Sequence, residues 1–390
     1  MKLVISAGDP SGDRLGAACL RALRERGVDV EAVGLGGPAL RDAGMTTVAD
    51  MESVAVMGFG AITHLPAIRR ARAEVRRAFE ARPDAIFLPI DSPGLNLGLA
   101  RAAHAMGRRV IYYVCPQIWA WGYGRVRRLR EDVDLTLLLF RFEEPILATE
   151  GARARWVGHP AGALRPDAGQ REAARRTLGV ASGEKLIALL PGSRHAEVRH
   201  HLGPMLDAAT RLADVEGGAV RVAVSDAGPV EDAASRSPAR EILGRLRPLL
   251  HRGESEPLLR AADLALVASG TATLETAALG TPFVIVYRTS ALNYAIARRL
   301  VRLPRIGLAN IVMDAGVAPE RIQGHATGAA IAEAARPLLD DPAARERQLA
   351  GFAGLDERLG GAGAARRAAD AIVEFASGGF EATSARSAAR

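Results

Sequence analysis

Five short stretches carry side chains able to do chemistry, and most of them follow an apolar run. In LPIDSPGLN, Leu88 to Asn96, one carboxylate, Asp91, stands just past the apolar residues. Partial burial there raises a carboxyl pKa and suits it to general-base work. The competing reading is a turn in which Asp91 or Ser92 only starts the helix from Asn96. In LLPGSRHAEV, Leu189 to Val198, an apolar strand ends in Pro-Gly-Ser-Arg and leads into a helix. Helix-start amides at Gly192 and Ser193, with the guanidinium of Arg194, make a site for a pyrophosphate, because the planar fork pairs two phosphate oxygens at once. VASGTATLE, Val267 to Glu275, repeats the arrangement with Ser269, Gly270 and Thr271. Glu275, one turn on, is placed to accept from ribose hydroxyls. A capping box from Thr271 competes, although its spacing to Glu275 is one residue too long.

Two further stretches are less decisive. SAGDPSGDRLGA, Ser6 to Ala17, combines glycines for a tight turn with Asp9, Ser11 as a helix N-cap, and Asp13. It is neither a dinucleotide fingerprint nor a P-loop. In CPQIWAWGYGRVRRLR, Cys115 to Arg130, Trp119, Trp121 and Tyr123 run into Arg125, Arg127, Arg128 and Arg130. Stacking on nucleic acid, contact with phosphate headgroups, and a helix whose Trp face is core and whose Arg face is solvated are the three readings.

The elements that must hold these residues are short apolar strands alternating with amphipathic helices, the pattern of parallel sheets wrapped by helices. Strands are expected at Leu3–Ala7, Ala32–Leu35, Ala85–Pro89, Val110–Val114 and Leu135–Leu139. A second set follows at Leu186–Leu190, Val220–Val224, Leu264–Ala268 and Phe283–Val286. Helices are expected at Ser11–Arg26, Leu65–Ala81, Asn96–Met106 and Tyr123–Arg130, then Ala196–Ala213, Pro229–Leu246, Thr271–Ala278 and Ala291–Val301. The glycines and prolines of Gly158–Asp167 read as a linker. Two doubly wound halves, 1–163 and 164–353, then face a cleft at the carboxyl ends of their strands. Helices over 354–376 cross back, and 377–390 form a disordered tail.

Composition narrows the classes. The 390 residues are 48% hydrophobic and 24% charged, which excludes wholesale disorder. Basic residues outnumber acidic ones 51 to 44, and only Lys2 and Lys185 are lysines. That excess alone leaves nucleic acid, an anionic membrane and phosphorylated substrates open. Cys19 and Cys115 support neither a disulfide framework nor a cysteine-rich zinc site. Met1 to Gly8 runs straight into a strand without a signal-peptide pattern, and no apolar run approaches the ~20 residues of a membrane span.

Taken in order, SGD at Ser11–Asp13, AVMG at Ala55–Gly58, IDSPGLN, WAW at Trp119–Trp121, GHP at Gly158–Pro160, LLPGSRHAEV, ASGTATLE, Tyr287–Arg288 and LAN at Leu308–Asn310 carry a resemblance. The chain resembles the lipid-A-disaccharide synthases, inverting glycosyltransferases of the α/β GT-B class with two Rossmann-like domains. The resemblance implies transfer of 2,3-diacylglucosamine from UDP to the 6-hydroxyl of 2,3-diacylglucosamine 1-phosphate, with no cofactor and no metal. It implies Asp91 as catalytic base, and Gly192, Ser193, Arg194, Ser269, Gly270, Thr271, Glu275 and Asn310 on the UDP side. Asp9, Ser11, Asp13, Asn96 and Trp119 fall on the acceptor side. Phe59, Ile62, Leu65, Arg69 and Arg70 form a membrane-facing segment. A cytoplasmic protein held peripherally on the inner membrane follows, with no nucleic-acid partner and a homodimer left open.

The chain departs from the family pattern where Asp9 replaces Glu, where Gly94 and Leu95 replace an acidic and an aromatic residue, and where Arg141 replaces Pro before Phe142-Glu143. Arginines Arg69, Arg70, Arg72, Arg76 and Arg77 also interrupt the apolar entry segment. These departures bear on the acceptor site and on membrane contact. The alternatives are a UDP-sugar epimerase or hydrolase of related fold, or a nucleic-acid-binding protein.

Overall fold

A computed structural model describes residues 1–53, 65–119, 122–215, 220–226, 230, 239–290, 294 and 304–379. The chain divides into two compact units, one of residues 1–160 with the chain from Leu359 onward, the other of residues 161–358.

The first unit is built on seven strands: β1 (Lys2–Ala7), β2 (Glu31–Gly36), β3 (Thr46–Asp50), β4 (Ile86–Ile90), β5 (Ile111–Tyr113), β6 (Leu135–Leu138) and β7 (Ala154–Trp156). They pair in the order β3-β2-β1-β4-β5-β6-β7, all parallel. The order reverses between β1 and β4, where the register sets Ala7 beside Ile90. Ligands in open parallel sheets bind outside the carboxyl ends at such a reversal. Central strands buried on both faces must be apolar throughout, and β4, Ile-Phe-Leu-Pro-Ile, is wholly buried.

The helix Pro10–Glu25 follows β1, with Pro10 pre-setting its first turn and Asp9, not the expected Ser11, as its N-cap, accepting from the amide of Gly12. Its buried residues Gly12, Gly16, Cys19, Leu20 and Leu23 recur at helical spacing and form the packed face. A Cβ at Gly16 would come within 2.7 Å of Ile90 Cδ1, so a side chain there would push the helix off the site-bearing strand. The C-terminal helix Ala364–Ala376 belongs to this same unit and packs on Pro10–Glu25. Ion pairs Arg26–Asp370 and Arg155–Glu374 and the bond from Arg109 to Ala376 O hold it there.

The second unit has β8 (Lys185–Leu190), β9 (Val220–Ser225), β10 (Leu249–His251), β11 (Leu264–Ala268), β12 (Phe283–Tyr287) and β13 (Glu320–Ile322). These parallel strands are ordered β10-β9-β8-β11-β12-β13. The ends of β8, β11 and β12 therefore lie side by side. Long helices His195–Val215 and Gly328–Asp340 pack together over one face.

Every strand expected from the sequence is present, and four more, β3, β7, β10 and β13, complete the sheet edges. The helix expected at Asn96 begins at Pro93. The expected helix Ala291–Val301 lies almost wholly outside the described residues, and Pro229–Leu246 is described as a helix from Ala239.

Candidate active site

In the first unit the chain leaves β4 through two consecutive left-handed residues, Asp91 (φ +45°) and Ser92 (φ +44°), before Pro93 opens the helix Pro93–Ala105. Each such residue costs about 1–2 kcal/mol against the ordinary backbone, so the turn persists only because its surroundings hold it. The Asp91 N–H donates to Tyr113 O (2.9 Å), and the Asp91 carbonyl accepts from the Tyr112 hydroxyl (2.7 Å) and Asn96 Nδ2 (2.9 Å). Ser92 Oγ donates to the carboxylate of Asp9 (2.7 Å), and Ser11 Oγ donates to the same group (2.6 Å). A Cβ on Gly8 would meet Ser92 Oγ at 2.9 Å. The glycine expected to supply a tight turn has an ordinary φ and instead admits the close approach of the β1 end to this turn. The Asp91 side chain is thereby presented half-buried at the end of the central strand.

Asn96 and Asp13 face inward. Asn96 is fully buried, accepts from Ser6 Oγ (2.7 Å), and donates to Ser6 O and Ile90 O as well as to Asp91 O. Asp13, also buried, accepts from the amides of Gly37, Ala39 and Leu40 and so caps the short helix Pro38–Asp42. Both side chains organise backbone around the site.

Trp119 stands half-buried with its indole N–H donating to Glu143 (3.0 Å) and its ring edge-on to Phe142. Glu143 received no role from its sequence position. Its carboxyl is buried and also accepts from the Phe140 amide (3.3 Å). Burial pushes its pKa up to about 8, and the negative charge of Asp91 adds to that rise. Its apolar setting includes Phe140, stacked on Phe142 and on His159. Burial holds the His159 imidazole down to about 4. The sequence signal for Glu143 is its place in the Phe142-Glu143 pair of the family pattern, a few residues after an apolar strand; burial comes from the fold.

Of the membrane-facing candidates, Phe59 and Ile62 lie outside the described residues, as does the side chain of Leu65. Arg69 and Arg70 are exposed on the helix Leu65–Glu80, while Ile68, Ala71 and Val75 are buried. A groove of about 610 Å³ between this helix and β3 is lined by Val48, Asp50, Pro66, Arg70 and Glu74 among others. In the helix Arg125–Asp132, Arg127, Arg128 and Arg130 point outward as the solvated-face reading expects, but its buried face is Val126 and Leu129 rather than tryptophan, Trp119 lying ahead of the helix. Trp121 lies outside the described residues.

In the second unit the β8 end turns through Pro191 and Gly192 (φ +114°) into the helix His195–Val215. The amides of Ser193 and Arg194 both donate to the carboxylate of Glu197 (3.1 and 3.3 Å), and the exposed guanidinium of Arg194 pairs with it at 3.1 Å. A carboxylate of the chain itself thus shows what this turn gathers: two amides and a guanidinium around one anionic group. At the β11 end, Ser269 Oγ donates to Ile306 O (2.8 Å) and Thr273 Oγ1 to Gly270 O (2.7 Å), fixing the Ser269–Thr271 turn ahead of the helix Ala272–Ala278. Glu275 accepts from Ser255 Oγ (2.9 Å) and is half-buried. Asn310 is buried and bonded to both backbone groups of Ala318 and to Glu320, which in turn accepts the amides of Ile306 and Gly307. It braces the segment that Ser269 grips.

Among the described residues no group of three or more metal-ligating side chains gathers, and no helix is long and apolar enough to cross a membrane.

The family model for lipid-A-disaccharide synthetase matches residues 3–360. The chain is 39% identical over 376 residues to the lipid-A-disaccharide synthase of Anaeromyxobacter sp. (strain K), covering 95% of this chain and 97% of that one. It is 38% identical over 383 residues to that of Azotobacter vinelandii, covering 96% and 98%. Among solved structures, the calicheamicin glycosyltransferase CalG4 matches with a TM-score of 0.55 at 18% identity, over 100% of this chain and 99% of that one, a likeness of fold. Two parallel-sheet units of GT-B type, with sequence likeness running nearly end to end, lead to one conclusion: the chain belongs to the lipid-A-disaccharide synthase family of glycosyltransferases.

Proposed function

We propose that the enzyme transfers 2,3-diacylglucosamine from UDP to the 6-hydroxyl of 2,3-diacylglucosamine 1-phosphate, releasing UDP and the β-1,6-linked disaccharide 1-phosphate. The observation that carries this reading is Asp91, a carboxylate on a left-handed turn at the reversal of the sheet, its carbonyl held by bonds from Tyr112 and Asn96 while the next residue, Ser92, bonds to Asp9. Asp91 takes the proton of the acceptor 6-hydroxyl as its oxygen attacks the anomeric carbon. The bond to the UDP oxygen breaks on the opposite side, which inverts the anomeric centre.

Charge grows on the departing diphosphate, and the Ser193 and Arg194 amides, the Arg194 guanidinium and the Ser269–Thr271 turn supply donors for it without a metal. The diphosphate competes there with Glu197, which holds the same amides. Glu275 serves the ribose. Asp9, Ser11 and Trp119 line the acceptor side, while Asp13, Asn96 and Asn310 act through the backbone they hold. Exposed Arg69 and Arg70 meet an anionic membrane surface peripherally. Incubation with both diacylated substrates followed by mass analysis tests the reading. A disaccharide monophosphate is expected; free diacylglucosamine or an epimerised UDP-sugar would refute it.

A further inference from the structure

His201 lies in the helix His195–Val215 of the second unit and is 2% exposed. Both of its ring nitrogens are engaged, and with different strand ends. Nδ1 lies 2.9 Å from the carbonyl of Pro191, which follows β8, and Nε2 accepts the backbone N–H of Arg288, which follows β12, at 2.9 Å. The Pro191 carbonyl can only accept, and the Arg288 amide can only donate. The ring must therefore carry its proton on Nδ1 and be neutral. One imidazole thus ties the turn bearing Gly192, Ser193 and Arg194 to the exposed arginine two strand positions away, across the end of β11.

We infer that His201 is a positioning residue of the nucleotide site, its neutral ring fixing the Gly192–Arg194 turn against Arg288 so that both face one diphosphate. The inference rests on the reading of that turn as the diphosphate site. A surface histidine on an amphipathic helix has no such effect, since it would leave both strand ends free to move. Burial holds the ring below its usual pKa, Glu197 of the same helix pulls it up and His200 pushes it down. Tyr287 packs 6.2 Å away, ring to ring, and Arg288 presents its amide. Protonation would put an N–H against the Arg288 N–H and break the link, so UDP affinity falls on the acid side as the ring charges. Burial favours the neutral ring, and the Arg288 N–H can bond only an unprotonated Nε2, so the link is complete above the ordinary histidine pKa and is lost as pH drops through the lowered one.

The test is UDP binding by calorimetry for wild type, His201→Leu, His201→Gln and Arg194→Ala, from roughly pH 5 to pH 8. Leu keeps the bulk and removes both bonds, whereas Gln offers one donor and one acceptor and does not titrate. His201→Leu is expected to weaken UDP on the order of tenfold at the alkaline end. His201→Gln is expected to bind like wild type there and to lose the part of the acid-side fall not due to UDP's own terminal phosphate, which titrates near ~6. Wild-type affinity in His201→Leu alongside weakened binding in Arg194→Ala would overturn this inference alone. Unchanged binding in Arg194→Ala would overturn the diphosphate reading and the inference with it. If His201→Leu fails to fold, His201→Gln decides: an acid-side fall identical to wild type overturns the link.

Discussion

Replacing Asn96 by alanine removes a side chain that makes four hydrogen bonds in a fully buried position, three of them to the backbone that shapes the Asp91 turn. The Asp91 carbonyl keeps its bond from Tyr112, but Ser6 Oγ loses its acceptor and the carbonyls of Ser6 and Ile90 each lose a donor. A buried polar group left without its partner costs about 1–3 kcal/mol, so two or three such groups cost about 2–9 kcal/mol. Against a whole-domain stability of about 5–15 kcal/mol, that is a large share. The left-handed conformation of Asp91 and Ser92 is then under-determined, and a shift of about 1 Å at a reacting group costs on the order of 100-fold in turnover. Denaturant unfolding followed in the first unit gives the loss of stability. Steady-state turnover, at a temperature where the variant is folded, gives the loss of positioning. A stability loss of under about 1 kcal/mol, with turnover within about threefold of wild type, would refute the claim that Asn96 holds the base in place.

Two further outcomes follow from the same geometry. Glu143, raised by burial to about 8, favours the folded state fully below its ordinary value of 4.5, and that contribution is lost as pH rises toward 8. His159, lowered by burial to about 4, acts the other way: its contribution is complete above 6.5 and is lost as pH falls toward 4. Each tenfold change in proton affinity is worth about 1.4 kcal/mol, so each limb amounts to a few kcal/mol. Thermal melts of Glu143→Gln should lose the alkaline limb and keep the acid one; an unchanged alkaline limb would contradict the assignment. Turnover in excess chelator should match turnover without it if, as proposed, amides and Arg194 supply the diphosphate's donors. Loss of activity that added divalent metal restores would contradict a metal-free departure of UDP.

The sequence was most legible where chemistry and strand ends coincide. Asp91 follows β4, Arg194 follows β8 and Ser269 follows β11, each marked by an apolar run that stops at a turn residue. The edge strands were not legible because they are short and only partly buried. Thr46–Asp50 and Ala154–Trp156 lack the apolar run of a central strand. Side-chain direction was the other hidden quantity. Asp13 and Asn310 read as candidates for ligand contact, yet each is turned onto backbone groups that neighbouring loops bring to it. Glu143 is legible only as part of the family's Phe-Glu pair and His201 not at all, and only tertiary packing buries them.

The central claim is that Asp91 removes the acceptor proton while the UDP side is held independently of it. The most direct measurement is turnover of Asp91→Ala in the two-substrate assay, set beside its UDP affinity. The account predicts a loss of about 10²–10⁴ in kcat with UDP affinity and fold unchanged. Near-wild-type turnover in a variant that folds and binds UDP would contradict it.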